Sequence, residues 1–216
     1  MRFTTVYRKL YHQHGPQHWW PGETPFEVMV GAVLTQNTAW SNVEKAIANL
    51  RAARRLDAAA ILRTPPARLA KLLTPSGYFN VKARRLRSLC AWYVEQGGYD
   101  ALKQRATPRL RAELLAQHGI GPETADDILL YAFERPVFVI DAYTRRLFRR
   151  LGLVAGDEKY EVLCAGVERR LARSDDRIAL FNEFHALIVV HAKDICRPRP
   201  RCETCCLART CPAAQK

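Results

Sequence analysis

The sequence has no apolar run of the roughly 18 residues that a membrane-spanning helix needs. The nearest candidate, residues 178–192, is interrupted by Asn182, Glu183, His185 and His191. The first residues contain no apolar segment of the kind that directs secretion. We therefore expect a cytoplasmic protein that makes no contact with a membrane.

Low-complexity segments and stretches of alternating apolar and polar residues are also missing from the sequence. Their absence argues against long disordered regions and against β-strands. Of the 216 residues, 48% are hydrophobic, enough to bury one core or two smaller ones. Apolar residues recur at spacings of three and four almost throughout the chain, so the sequence predicts an all-α protein.

Two segments carry the signature of a capped helix start. Thr24 and Glu27 precede one apolar stretch, and Ser41 and Glu44 have the same spacing before another. Apolar periodicity predicts further helices over residues 57–62, 66–73, 80–96, 108–117, 122–133, 142–151, 159–172 and 177–193.

Basic residues are in clear surplus, with 34 lysines and arginines against 21 aspartates and glutamates and a formal net charge of +13. A surplus of this size makes a polyanion such as nucleic acid the first partner to consider. On charge alone, a basic enzyme without a nucleic-acid partner stays an open alternative.

A short turn, Gly119-Ile120-Gly121, lies between two of the predicted helices. Glycines can adopt positive φ and let the backbone approach a neighbouring group closely. The helix after the turn presents unpaired N–H groups that suit a phosphate oxygen, and Ile120 would anchor the turn in the core. An ordinary connection between two antiparallel helices is the competing interpretation.

Asp141 directly follows the apolar run 137–140 and precedes a helix with four arginines. The simplest interpretation is an N-cap, whose carboxylate accepts a hydrogen bond from the start of the helix. The alternative is a catalytic carboxylate that activates a water or stabilises positive charge on a sugar, as carboxylates do at other glycosidic bonds.

Five of the seven cysteines lie in the last 21 residues, and the other two, Cys90 and Cys164, are predicted core residues. Four of the five have gaps of five, two and five residues: Cys196, Cys202, Cys205 and Cys211. Such a compact run in a reducing compartment favours a metal centre over disulfides, and a [4Fe–4S] cluster over zinc. Cys206 is an alternative to Cys205 as the third ligand.

In this order, the motifs resemble those of the helix-hairpin-helix (HhH-GPD) DNA glycosylases of the endonuclease III superfamily. The resemblance covers nearly the whole sequence. The segments that carry it are "LTQNT", "GYFNVKARRL", "GIGPETA", "VIDAYTRRL" and "HAKDIC".

This resemblance implies an endonuclease III-like fold of two helical domains. A six-helix barrel domain with the hairpin would span residues 21–128, and an iron–sulfur cluster domain would combine residues 1–20 and 129–216. A pocket between them would receive a base flipped out of damaged double-stranded DNA. We expect the protein to act as a monomer.

The same resemblance assigns roles to individual residues. Asp141 would be the catalytic carboxylate, and Gln36 would fill the space left by the flipped nucleotide. The four cysteines would hold a [4Fe–4S] cluster. The residues expected to contact DNA are Gln36, Gly119, Ile120, Gly121, Thr124, Arg197, Arg199 and Arg201.

Glu123 departs from the endonuclease III pattern. The matching position there is a lysine whose amine attacks the sugar and forms a Schiff base that permits strand cleavage. A glutamate cannot form that intermediate. We therefore expect Glu123 to be a catalytic residue together with Asp141, in an enzyme that uses water near Asp141 and leaves an abasic site.

Further features resemble the 3-methyladenine DNA glycosylase branch of this superfamily. They are Trp19 and Trp20 before a proline, Trp40 shortly after "QNT", and the segment "GPETADDIL". Aromatic walls suit an alkylated purine, which carries positive charge and stacks on electron-rich rings. Lys193 would also line the pocket. Core positions for the tryptophans, and a helix C-terminal role for Lys193, are the competing interpretations.

The sequence thus predicts a monofunctional DNA N-glycosylase that removes alkylated purines, first of all 3-methyladenine, by hydrolysis. One alternative is an endonuclease III-like glycosylase and lyase for oxidised pyrimidines, with an amine such as that of Lys193. The other is a DNA-binding homologue with little catalysis.

Overall fold

A computed structural model describes residues 1–215 of the chain. These residues form helices and turns without a β-strand among them, so the all-α prediction is confirmed. The chain divides into two compact units, unit 1 (Met1–Trp20 and Arg135–Lys216) and unit 2 (Pro21–Glu134). Within the described part of the chain, no helix is long and apolar enough to cross a membrane.

Unit 2 is a helical bundle around its first helix. Its helices are α2 (Pro25–Leu34), α3 (Trp40–Ala52), α4 (Ala58–Arg63), α5 (Pro66–Leu72), α6 (Phe79–Glu95), α7 (Gly98–Lys103), α8 (Thr107–Leu115) and α9 (Pro122–Asp127). Helix α2 packs against α3, α6 and α9. Every residue from Glu27 to Leu34 is buried, so α2 is enclosed rather than amphipathic.

The start of α2 shows the Thr24 half of the predicted capping box, while the Glu27 carboxylate accepts from the Glu23 N–H at 3.4 Å. The backbone N–H of Glu27 donates to Thr24 Oγ1 at 3.1 Å. The second predicted box is wrong, because α3 already begins at Trp40 and Ser41 lies inside the helix with no end to cap. Glu44 instead accepts a hydrogen bond from the indole N–H of Trp40 at 3.0 Å.

Two helical segments differ from the sequence prediction. The helix expected over residues 122–133 is α-helical only as far as Asp127, and Ile128–Ala132 continue it as a wider π-helical turn. The sequence pattern does not predict α7, because its start at Gly97 and Gly98 has the character of a turn.

Unit 1 is built from α1 (Phe3–His14), α10 (Ala142–Arg150), α11 (Tyr160–Arg170) and α12 (Arg177–Asp194). Both α1 and α10 pack against α12. Phe138 meets Phe181 and Phe184 edge to face, with ring centroids 5.4 and 5.7 Å apart. Phe3 meets Phe148 in the same way at 4.8 Å, so an aromatic core holds these helices together.

A buried ion pair joins α8 to α9, the two helices of the hairpin. Arg111 Nε and Nη2 donate to Asp126 Oδ1 and Oδ2 at 2.7 and 3.0 Å. The Asp126 side chain is fully buried, and 23% of the Arg111 side chain is exposed. Two parallel hydrogen bonds fix the relative position of the helices better than one contact would.

Replacing Arg111 with leucine should lower the free energy of unfolding by about 3 kcal/mol, because the Asp126 carboxylate would be left buried and unpaired. Urea unfolding followed by circular dichroism measures this loss. The matched control is Arg109→Leu, since Arg109 is 72% exposed and pairs with Glu113 at the helix surface. The control should change stability by less than about 0.5 kcal/mol. Equal losses in the two variants would contradict the role given to the buried pair.

Candidate functional site

The turn between α8 and α9 contains one glycine in the left-handed region. Gly119 has φ +80°, whereas Gly121 has φ −91°. A Cβ atom at Gly119 would lie 2.4 Å from the side chain of Arg85, but one at Gly121 would meet nothing within 4 Å. Of the two glycines, only Gly119 uses the positive φ that glycine can adopt. Its open Cα instead leaves access to the start of α9.

Gln36 ties the segment after α2 to this turn. Its amide nitrogen donates to the Gly119 carbonyl at 3.1 Å and to Thr124 Oγ1 at 2.9 Å, and its oxygen accepts from Arg85 at 2.5 Å. Ile120 and Thr124 are buried and anchor the turn. The predicted role of Gln36 in filling a nucleotide gap stays a prediction, and it would require these three bonds to break.

A buried lysine holds the end of α2. Lys82 Nζ donates to the carbonyls of Leu34 and Ser76 at 2.8 and 2.6 Å. Burial, and then the nearby charge of Arg85, lower the pKa of Lys82 to about 8. Carbonyls at a helix end have no partner within the helix, so this ammonium satisfies one of them and positions Gln36 two residues later.

Glu123 is exposed in the first turn of α9. A carboxylate at this point is stabilised by the partial positive charge of the first N–H groups of a helix. The side chain carries no amine, so it cannot form a Schiff base with a sugar. Its part in catalysis stays a prediction.

Asp141 is the N-cap of α10 in unit 1. The backbone N–H of Thr144 donates to Asp141 Oδ1 at 2.6 Å. The N-cap interpretation is therefore confirmed. Because the cap uses Oδ1, a catalytic role for Oδ2 is compatible with it.

His185 faces the second oxygen of this carboxylate. His185 Nε2 lies 3.7 Å from Asp141 Oδ2, and the exposed fractions of the two side chains are 5% and 13%. Burial by itself raises the pKa of Asp141, but His185 and the Thr144 N–H outweigh it, so the pKa lies below its ordinary value. Asp141 is therefore ionised at neutral pH.

Two tryptophans of unit 1 lie next to the pair formed by Asp141 and His185. The Trp19 ring lies 6.2 Å from the His185 ring and 5.9 Å from the Trp20 ring, measured between centroids. Both indoles are half-buried, so part of each ring is accessible. Trp40 lies in unit 2, half-buried at the start of α3.

Lys193 is exposed in the last turn of α12. Its Nζ lies 6.0 Å from the centre of the Tyr143 ring, and the guanidinium of Arg146 lies 5.2 Å from the same ring. Tyr143 thus lies close to two cations at the beginning of α10. A pocket role for Lys193 stays a prediction.

The cysteine run lies around one cavity in unit 1. The cavity is lined by four thiols and by apolar residues of α10 and the C-terminal turns: Cys196, Cys202, Cys205, Cys211, Leu147, Leu151 and Leu207. Burial and the charges of the other three thiolates raise the pKa of Cys205. Cys206 does not line the cavity. Its backbone N–H donates to Gln13 Oε1 at 3.2 Å.

These thiols do not form a site for a single ion. Within residues 1–215, no three side chains of His, Cys, Asp or Glu lie close enough to hold one metal ion. Cys90 and Cys164 are buried, so their predicted core positions are confirmed.

Two arginines of α10 hold the loop that carries the first cysteines. Arg146 donates to the carbonyls of Cys196 and Ala192 at 3.0 and 2.9 Å. Arg150 donates to the carbonyls of Arg197 and Pro198 at 2.6 and 2.9 Å and to Cys196 Sγ at 3.3 Å. The loop is therefore fixed by charged donors from a neighbouring helix.

The basic residues of this loop are exposed, as a phosphate-binding role requires: Arg197, Arg199 and Arg201. Their side chains therefore reach solvent at the surface of unit 1. Contact with DNA stays a prediction for these three residues.

Sequence reasoning does not assign His185, Lys82 or Arg85 to the site. In the sequence, His185 is only a polar interruption of an apolar stretch. That interruption is itself a signal, because a buried ionisable group needs a partner. Lys82 and Arg85 lie in a helix that also carries the exposed Arg84 and the half-buried Arg87, so composition does not distinguish them.

Comparison with known proteins identifies relatives of the whole chain. The model of the HhH-GPD superfamily base excision DNA repair protein matches residues 30–172. A Methanocaldococcus jannaschii protein named as a DNA repair glycosylase is 43% identical over 209 residues, covering 95% of this chain and 94% of the relative. Endonuclease III of Thermotoga maritima is 30% identical over 191 residues, covering 87% of this chain and 82% of the relative.

Two solved structures resemble the fold. The H. pylori 3-methyladenine DNA glycosylase bound to 1,N6-ethenoadenine has a TM-score of 0.80 at 30% identity, covering 89% of this chain and 98% of that chain. A non-covalent complex of endonuclease III with DNA has a TM-score of 0.83 at 19% identity, covering 100% of this chain and 97% of that chain. The expected endonuclease III-like helical fold is therefore confirmed.

Alanine substitutions in the hairpin turn should show that its two glycines differ in their contribution to stability. Gly119→Ala should lower the free energy of unfolding by about 1–2 kcal/mol, since an L-residue is strained at positive φ, and should displace Arg85 from Gln36. Gly121→Ala is the matched control and should leave stability unchanged, because its Cβ enters open space. Urea unfolding measures both variants. A larger loss for Gly121→Ala would contradict the turn geometry.

Proposed function

Because this chain belongs to the HhH-GPD superfamily of base excision repair DNA glycosylases, we propose that it is a monofunctional glycosylase for alkylated purines. It would hydrolyse the N-glycosidic bond of 3-methyladenine and related bases in duplex DNA and leave an abasic site. The relatives support the reaction class. The preferred base is inferred from the residues of unit 1.

The observation that carries this proposal is the row Trp20, Trp19, His185 and Asp141. Successive members lie 5.9, 6.2 and 3.7 Å apart, ring to ring and then nitrogen to oxygen. A purine methylated at N3 or N7 is cationic, and it gains both stacking and cation–π attraction on indole rings. The H. pylori relative, which is a 3-methyladenine DNA glycosylase crystallised with an ethenoadenine, supports the same class of base.

The chemistry follows from the charge of both partners. The water oxygen forms a bond to C1′ as the bond from C1′ to the base nitrogen breaks, and the bonding electron pair leaves with the base. A methylated purine is already positively charged, so it leaves as a neutral base without needing a proton. The ionised Asp141 stabilises the positive charge that develops on the sugar and accepts the proton of the water.

Glu123 supports hydrolysis over strand cleavage, because no amine occupies that position to form a Schiff base. The second candidate is an endonuclease III-like lyase for oxidised pyrimidines, which the Thermotoga maritima relative favours. Lys193 is exposed and would be the amine to test in that case.

DNA would be held by groups that recognise phosphate rather than sequence. The open face at Gly121 gives access to the first N–H groups of α9, which suit a phosphate oxygen. The exposed Arg197, Arg199 and Arg201 would add ionic contacts, so binding should weaken as salt rises.

We also propose a [4Fe–4S] cluster on Cys196, Cys202, Cys205 and Cys211. Each iron of such a cluster needs one thiolate, so four thiols around one cavity fit a cluster even though they do not form a single-ion site. The cluster would act structurally, by cross-linking the C-terminal turns that present the basic loop.

Excision assays on duplex oligonucleotides test the proposed reaction. One set carries methylated adenine or ethenoadenine, a second carries uracil or thymine opposite guanine, and a third carries thymine glycol. We expect release of the alkylated purines, strand breaks only after alkali, and no adduct trapped by borohydride. Asp141→Asn should slow excision by about 10²- to 10⁴-fold, whereas the exposed Asp175→Asn should not.

Other results would contradict specific parts of the proposal. Release of uracil or thymine in place of alkylated purines would overturn the proposed base while keeping hydrolysis. Cleavage at thymine glycol with a trapped covalent complex would overturn both the proposed base and the hydrolytic mechanism.

Serine substitutions test the cluster independently of activity. The purified protein should be brown, with about four irons and four sulfides per chain, as a [4Fe–4S] centre requires. Cys205→Ser should lose most of the iron, whereas the matched control Cys206→Ser should keep it, because Cys206 does not line the cavity. Retained iron in Cys205→Ser and lost iron in Cys206→Ser would assign the third ligand to Cys206.

A further inference from the structure

His185 is a buried ionisable group that the hydrolytic scheme does not use. It lies at the middle of α12 with 5% of its side chain exposed. Helix α12 packs along α10, the helix that begins after Asp141. The approach of His185 Nε2 to Asp141 Oδ2 is therefore set by two packed helices and not by a loop.

The two oxygens of Asp141 have separate partners. Oδ1 accepts the Thr144 N–H, which fixes one end of the carboxylate at the start of α10. Oδ2 faces His185 at 3.7 Å. A carboxylate held by a single hydrogen bond can still tilt about its Cβ–Cγ bond, so the second contact limits how the carboxylate plane is oriented.

We propose that His185 is the positioning residue of Asp141 and that its Nε2 holds Oδ2 so that the carboxylate faces the sugar of a bound nucleotide. This inference rests on the proposed function, because it takes Asp141 as the catalytic carboxylate. A separation of 3.7 Å is slightly longer than a hydrogen bond. Catalytic contacts of this kind tighten when substrate binds.

The neighbour of His185 on its other side adds a link to the substrate. The Trp19 ring lies 6.2 Å from the His185 ring, and Trp20 follows Trp19. His185 therefore lies between the aromatic pair and the carboxylate that it would orient.

The electrostatics of the pair agree with this role. Burial raises the pKa of Asp141, and His185 is the side chain that most opposes that rise. Without His185, only Thr144 would oppose the effect of burial on the pKa of Asp141, so the carboxylate would become protonated at a higher pH. The acid limb of the excision rate should then move to higher pH.

The test compares four variants in single-turnover excision of the base that the wild-type protein removes fastest. His185→Phe should lower the rate constant roughly 10- to 100-fold, part of the usual contribution of acid–base catalysis, and move the acid limb to higher pH. His185→Gln keeps an N–H donor and should recover part of the rate. His12→Phe is the matched control, because His12 is exposed on α1. Asp141→Asn reports on the carboxylate itself.

The outcomes separate the two proposals. An Asp141→Asn variant that excises at the wild-type rate would overturn the catalytic role of Asp141, and the inference with it. If Asp141→Asn is inactive while His185→Phe and His185→Gln match His12→Phe in rate and pH profile, the inference alone is overturned. If His185→Phe does not fold, the excision rates of His185→Gln and His185→Asn test the proposal instead. The longer glutamine side chain should give the faster excision, and wild-type rates in both variants would overturn the proposal.

Discussion

The hydrogen bond from the Thr144 backbone to Asp141 Oδ1 fixes where α10 begins, and much of unit 1 depends on that start. It sets which residues of the helix point inward, with Leu147 and Phe148 in the core. Each residue turns an α-helix by about 100°, so placing the neighbouring residue at the same cap position in space would rotate every side chain of α10 away from its partner. Arg146 would then no longer reach the carbonyls of the cysteine loop.

The basic surplus of the sequence has two distinct uses. Some cationic side chains stabilise the fold by donating hydrogen bonds to backbone carbonyls, namely those of Lys82, Arg87, Arg146 and Arg150. Others, such as Arg199, project into solvent. The total of 34 lysines and arginines therefore overstates how many cations are available to a polyanion. Composition indicates the partner class, but only contacts distinguish the two uses.

Local signals account for what the sequence predicts well. The cap at Thr24 and the cap at Asp141 each depend on residues within three positions, and both were predictable. Ser41 was not, because two possible starts compete within two residues and the indole of Trp40 engages Glu44. Even local rules fail where alternatives are close in energy.

Contacts between distant residues are the part that one sequence does not reveal. Gln36 meets Gly119 across 83 positions, and His185 meets Asp141 through the packing of two helices. The pair of Arg111 and Asp126 connects neighbouring helices, yet nothing in either segment marks it. The sequence predicts the helices and the candidate catalytic carboxylate, while the network that orients each of them follows from tertiary packing.

The N-cap position of Asp141 has an evolutionary consequence under the proposed function, in which the same residue is also the catalytic carboxylate. Asparagine caps helices about as well as aspartate, because its side-chain oxygen accepts the same backbone hydrogen bond. A drift from aspartate to asparagine at position 141 would therefore keep the start of α10 and remove the negative charge. Under the proposed function, a descendant of this chain would lose catalysis in one substitution while keeping its fold and its exposed basic loop. A protein that only binds DNA would then arise without an unfolded intermediate.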